Sequence, residues 1–195
     1  MINFFLKAKH WQLFIIMLGI PLVFQAYFMF NMFAEFERES HPHTEEFMSI
    51  FTIFPIMMIL FTAVFFGWFW SIAIGLQKNI PQGVTMKIKK FKAFFFIPLI
   101  YINFQMVYMT GVFSGMGIND VASSGWMVAI ILPLHLFSMF CIFYSMYFVA
   151  KTIKTAELQR NTRFEDFAAE FFLLWFYFIG IWIIQPKVNR LDGKN

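Results

Sequence analysis

Three polar side chains, Asn103, Gln105 and His135, stand inside long apolar runs of this 195-residue chain. At about 1.5 Å of rise per residue, all three fall near mid-bilayer if those runs cross one as helices. Ser138 follows the histidine by about one turn, and Gln25 in the first apolar run joins the same layer. An imidazole titrates near neutrality, so the layer could sense a proton or contact a solute. The plainer role is interhelical hydrogen bonding, worth roughly 0.6–2 kcal/mol in a membrane. Glu170 borders another apolar run, and an ionisable group there is a functional candidate by default. A salt bridge to Arg160, Arg163 or a nearby Lys would account for it without further chemistry.

A second candidate lies in the segment AEFERESHPHTEE, where His41 and His43 flank Pro42. The residue before a proline is extended, so the two rings would project roughly to one side. With Glu37, Glu39 or Glu45 they could hold a divalent metal. Two histidines two residues apart arise often by chance, and the expectation is a solvated acidic loop with no metal and no cofactor.

Familiar signatures of catalysis and conduction do not occur. The chain contains no GxxxxGK[ST] phosphate loop, no HExxH zinc helix and no GxSxG elbow. Arginine ladders and TVGYG-like filters are missing too. Cys141 is the single cysteine, which excludes an intrachain disulfide and reads as a small buried hydrophobe. The expectation is a protein that is not an enzyme.

Whatever positions these groups must be solvated by lipid. Hydrophobic residues make up 60% of the chain and charged residues 13%, with 31 phenylalanines. A soluble domain needs roughly a quarter of its residues charged to wet its surface. The net charge of +4 does not indicate nucleic acid, because the basic residues flank apolar runs and do not form one face of a domain. They suit anionic headgroups, at about 1 kcal/mol each.

Four stretches are long enough to span ~30 Å of hydrocarbon as helices: about 11–33, 47–76, 93–115 and 126–150. The first is too long for a signal h-region and reads as a retained helix. Lys7 and Lys9, then Lys78, Lys87, Lys89, Lys90 and Lys92, then Lys151, Lys154, Arg160 and Arg163 lie on one side of this arrangement. The opposite connections carry only Arg38. That bias predicts a cytoplasmic N-terminus. Trp11, Trp68 and Trp70 fall near cytoplasmic helix ends and Trp126 at the opposite boundary, as an aromatic belt would. The Phe- and Lys-rich usage suggests a bacterial inner (cytoplasmic) membrane.

The prolines suggest a repeat. Pro21 and Pro98 are 77 residues apart, in IPLVFQ and IPLIYI; Pro55 and Pro133 are 78 apart, in IFPI and ILPL. Residues 1–80 and 88–158 therefore read as two tandem, parallel-repeat helical hairpins. Each proline removes one backbone bond and should kink its helix.

Residues 164–195 form a third unit. Glu165 and Asp166 suit a helix N-terminus. The uncharged run Phe171 to Ile184 is only about 21 Å long as helix, with Gly180 interrupting it and Gln185-Pro186 ending it. Lys187, Arg190 and Lys194 follow, so both flanks are basic. The preferred reading is an aromatic re-entrant or interfacial helix, with a short fifth span as the alternative.

The fold expected is thus an all-α integral membrane protein of four spans plus a C-terminal membrane-associated segment. Its expected role is an accessory or structural subunit of a larger membrane protein complex, with the lipid bilayer and other integral membrane proteins as partners. The alternatives are a small transporter or channel using Asn103, Gln105 and His135, and a lipid-modifying enzyme using His135 and Glu170.

Overall fold

The computed structural model describes residues 2–38, 44–113 and 125–193, and among these every regular element is helical. A short α1 (Ile2–Lys7) precedes α2 (His10–Phe14), which passes through a π-helical turn (Ile15–Gly19) into α3 (Ile20–Arg38). Then come α4 (Thr44–Gly75) with a closing 3-10 turn (Leu76–Asn79), α5 (Ile88–Phe113) and α6 (Gly125–Leu158). The chain finishes with α7 (Phe164–Trp175) and α8 (Tyr177–Asp192).

Four of these helices are long and apolar enough to cross a membrane, over His10–Asn31, Pro55–Asn79, Ile88–Tyr108 and Ala129–Leu158. Helices are what lipid allows, because each pairs its own backbone groups away from water. Pro55, Pro98 and Pro133 lie inside α4, α5 and α6. Pro21 sits just after the π turn, where the Ile20 N–H reaches back to the Ile15 carbonyl. Pro21 has no N–H to continue that ladder, and the widened turn accommodates the loss.

The apolar core is concentrated at the lysine-rich end of the helices. Trp68, Phe69, Ile72 and Leu76 of α4 are buried there with Phe91 of α5 and Ile153 of α6. Leu6 and Leu13 from the N-terminal helices join them, as do Phe167, Leu174 and Ile181 from the last two. Along α3 and the far parts of α5 and α6 the picture reverses: Phe30 is 73% exposed and Ile100 67%. Lipid tails are as apolar as leucine, so these faces need no protein cover. Trp68 departs from the belt reading. It is wholly buried, whereas Trp11 is exposed and Trp70 half-buried against Phe91 and Phe95.

Helix α1 seats in a shallow track on α4. Gly67, Ser71 and Gly75 recur every fourth residue, so they share one face of α4. A Cβ on Gly67 would stand 2.9 Å from the Phe5 ring, and one on Gly75 2.9 Å from Ile2 Cγ2. Small residues let the two backbones approach, as in small-xxx-small contacts between membrane helices. Ser71 contributes no polar conflict, since its hydroxyl donates to the Gly67 carbonyl at 2.7 Å.

The C-terminal segment is two helices and not one. The break falls at Phe176 (φ −88°, ψ 58°), and Gly180 lies inside α8. There Gly180 is required by a close approach: its Cβ would stand 1.8 Å from the Leu173 carbonyl oxygen. Nor does Gln185-Pro186 end the helix, which runs on to Asp192. Tertiary contacts at Gln185, Val188 and Leu191 compensate for the one backbone bond that Pro186 forgoes. The end of α6 and the end of α8 meet at Asn79: Gln159 Nε2 donates to the Asn79 carbonyl (2.9 Å), and Asn79 Nδ2 donates to the Leu191 carbonyl (2.6 Å). Lys78 pairs with Asp192 at 2.9 Å beside them.

The long helices also differ in how closely they pair. Helices α5 and α6 pack along each other, while α3 diverges from α4 above the π turn and leaves a cleft.

Candidate functional site

The polar residues singled out by the sequence do not converge on one point. On a helix, positions 101 and 105 lie on one face and 103 lies almost opposite. Asn103 accordingly turns back on its own helix, with Nδ2 donating to the Leu99 carbonyl at 2.8 Å. The partner of His135 is Tyr101, whose hydroxyl is 3.3 Å from Nδ1, with the rings 5.8 Å apart. Gln105 is half-buried and Ser138 buried, while His135 itself is exposed. Depth along the chain carries no information about azimuth, so spacing alone does not single out Tyr101. Gln25 belongs to a different place, lining the cleft between α3 and α4 with Pro21.

Glu170 occupies a built ionic site. Its Oε1 lies 2.8 Å from Lys187 Nζ and 3.3 Å from Lys154 Nζ, and the same two amines reach Glu157 Oε2 at 3.1 and 3.0 Å. Two acids and two bases thus alternate around a neutral ring that joins α6, α7 and α8. Glu170 is 4% exposed, and its Oε2 has no hydrogen-bond partner among the described residues. A lysine was among the expected partners; Arg160 and Arg163 were too, and they are used elsewhere.

Those arginines serve the start of α7. Asp166 accepts from the Arg163 backbone N–H at 2.8 Å and from Arg160 Nη2 at 2.6 Å. First the Arg163 N–H and then the Arg160 guanidinium hold its carboxyl below the usual carboxylate range. Behind it, the Thr155 and Thr162 hydroxyls share a buried hydrogen bond of 2.9 Å that fixes the loop between α6 and α7.

A third polar centre was missed altogether. Gln185 is fully buried, and its Oε1 accepts the Trp68 indole N–H at 2.8 Å. Its Nε2 donates to the carbonyls of Phe5 and Ala8, both at 2.8 Å. Asn189, one turn on, adds a 3.1 Å bond to the Ala8 carbonyl. The end of α1 exposes carbonyls that no intrahelical donor reaches, and these amides cap them. A glutamine just after an apolar run was the available signal.

His41, Glu39 and His43 lie outside the described residues, as do the side chains of Glu37, Glu45 and Trp126. Among the described residues no three His, Cys, Asp or Glu side chains gather as a metal site. Cys141 is buried, as a small hydrophobe would be.

Four helices of membrane-spanning length and apolarity define the class, a multi-pass α-helical membrane protein. No family model, curated protein or solved structure matches the chain.

Proposed function

We propose that this protein is a non-catalytic accessory or structural subunit of a larger membrane protein complex. One observation carries the reading: His135 is exposed in the first third of α6, inside its apolar span and between the exposed Leu134 and Leu136, with Tyr101 at one ring nitrogen. An imidazole left with an unpaired nitrogen in hydrocarbon costs about 1–3 kcal/mol. A polar group on a neighbouring protein's helix would remove that cost. The turning away of Asn103 weighs against the transporter reading, which needs Asn103, Gln105 and His135 to act together.

The same proposal includes the topology. Lysine-rich ends face the cytoplasm of an inner membrane, and the N-terminus lies on that side. Residues 1–80 and 88–158 are tandem hairpins that have diverged in how closely they pack. Helices α7 and α8 form a re-entrant pair, a reading supported by the return of the end of α8 to the 3-10 turn after α4, where Asn79 and Lys78 hold Leu191 and Asp192.

The test is extraction from the source membrane in mild detergent. Stoichiometric membrane partners should accompany the full chain, and His135→Leu should weaken that association several-fold without changing the helix content. A monodisperse, partner-free chain that conducts solute after reconstitution would overturn the proposal.

A further inference from the structure

The cleft between α3 and α4 has a volume of about 440 Å³, a size that accommodates a small organic molecule. It opens beside the π turn and Pro21, where α3 and α4 pack only loosely. Its walls are apolar, from Met17, Phe24, Phe28, Met57 and Phe61. Methionine and phenylalanine walls adapt to flexible chains and give water little to bond with. Within the span, the solvent that reaches such a cleft is lipid.

Two polar side chains interrupt the walls, Gln25 and Tyr177. No other described residue hydrogen-bonds the Gln25 amide or the Tyr177 hydroxyl. The amide sits well inside the His10–Asn31 span, where an unpaired amide costs free energy. Among the residues lining the cleft none is charged. An ionic headgroup would therefore find no counter-charge there, and it would have to leave the interface to arrive.

We propose that this cleft binds an uncharged lipid with one small hydrogen-bonding head, a carbonyl or hydroxyl, that meets Gln25 while its apolar body lies along Met57 and Phe61. The amide can donate to a carbonyl or accept from a hydroxyl, so both kinds of head fit. A phospholipid does not fit, because its charged head stays at the membrane surface.

The experiment uses the full chain in lipid nanodiscs, with thermal unfolding followed by circular dichroism. The probes are 2-decyl-1,4-benzoquinone for the carbonyl head and 1-dodecanol for the hydroxyl head. Dodecane lacks a head, and added phosphatidylglycerol carries a charged one. At least one of the first two should raise the unfolding temperature saturably, and which one does so identifies the head. Gln25→Leu should weaken that probe about tenfold, the worth of one hydrogen bond in an apolar site. Met58→Trp, which fills the cleft from the opposite wall, should abolish the shift. Equal shifts with dodecane, a shift only with phosphatidylglycerol, or no saturable shift at all would overturn the proposal. So would undiminished probe binding in both variants.

Discussion

The Gln185 side-chain oxygen accepts the indole N–H of Trp68 at 2.8 Å, across 117 residues of chain. The same side chain holds the Phe5 and Ala8 carbonyls, so the first helix, the second span and the last helix meet at one amide.

Gln185→Leu removes all of these bonds while keeping the volume roughly constant. It leaves the buried Trp68 indole N–H and the Phe5 carbonyl without their amide, while the Ala8 carbonyl keeps Asn189, and the expected loss is about 3 kcal/mol. Thermal unfolding in detergent should show it as a lower midpoint, and Trp68→Phe should add little further on that background. Additive losses would mean that the two residues act separately.

Glu170 anchors α7 to α6 and α8. Glu170→Ala leaves Lys154 and Lys187 facing each other with only Glu157 between them. Breaking such a pair costs about 2 kcal/mol, discounted because the lysines keep some solvent. Trypsin cleavage after Arg160 and Arg163 should accelerate several-fold, and Glu170→Asp should recover part of the protection. Unchanged cleavage would show that the ionic ring does not hold the segment.

Acid should act on the start of α7. The Asp166 carboxyl is depressed in the folded protein by the Arg163 N–H and the Arg160 guanidinium. Its stabilisation is therefore complete above the ordinary aspartate value of about 4, and is lost as pH falls through the lower folded value. Asp166→Asn should remove that portion of the acid-side decline in unfolding temperature and leave the neutral region flat. A mutant whose acid limb superimposes on the parent's would contradict this.

Two glycines should respond in opposite ways. At Gly180 a methyl group would collide with the Leu173 carbonyl, part of the backbone, so Gly180→Ala should cost more than about 3 kcal/mol or prevent folding. At Gly19 the nearest atoms are an ordinary 3.6 Å away on Ile15, and Gly19→Ala should be neutral or stabilising by up to about 1 kcal/mol. Expression level and unfolding midpoint of the two variants compare them directly.

The spans were legible because lipid leaves a chain so little choice. An apolar run of Pro55 to Asn79 must pair its own backbone, and a helix does so without reference to any other segment. The charge placement of Asp166 at a helix start was readable for the same reason, since capping is local. What composition and spacing could not supply was which way each helix faces. Trp68 resembles a belt residue in sequence and is a core residue in fact, buried in the apolar cluster with its indole N–H on Gln185 of α8.

Tyr101 and not Asn103 meets His135, because a rotation of about 100° per residue decides contacts that depth alone cannot. Gly180 and Pro186 looked like terminators, yet both lie within α8. Buried neighbours compensate for the backbone bond lost at Pro186, and the absence of a Cβ at Gly180 lets α7 approach. Tertiary structure alone placed the core at one end of the molecule. The chain's own side chains compete there with lipid for the same apolar surfaces, and only shape complementarity decides which helices win.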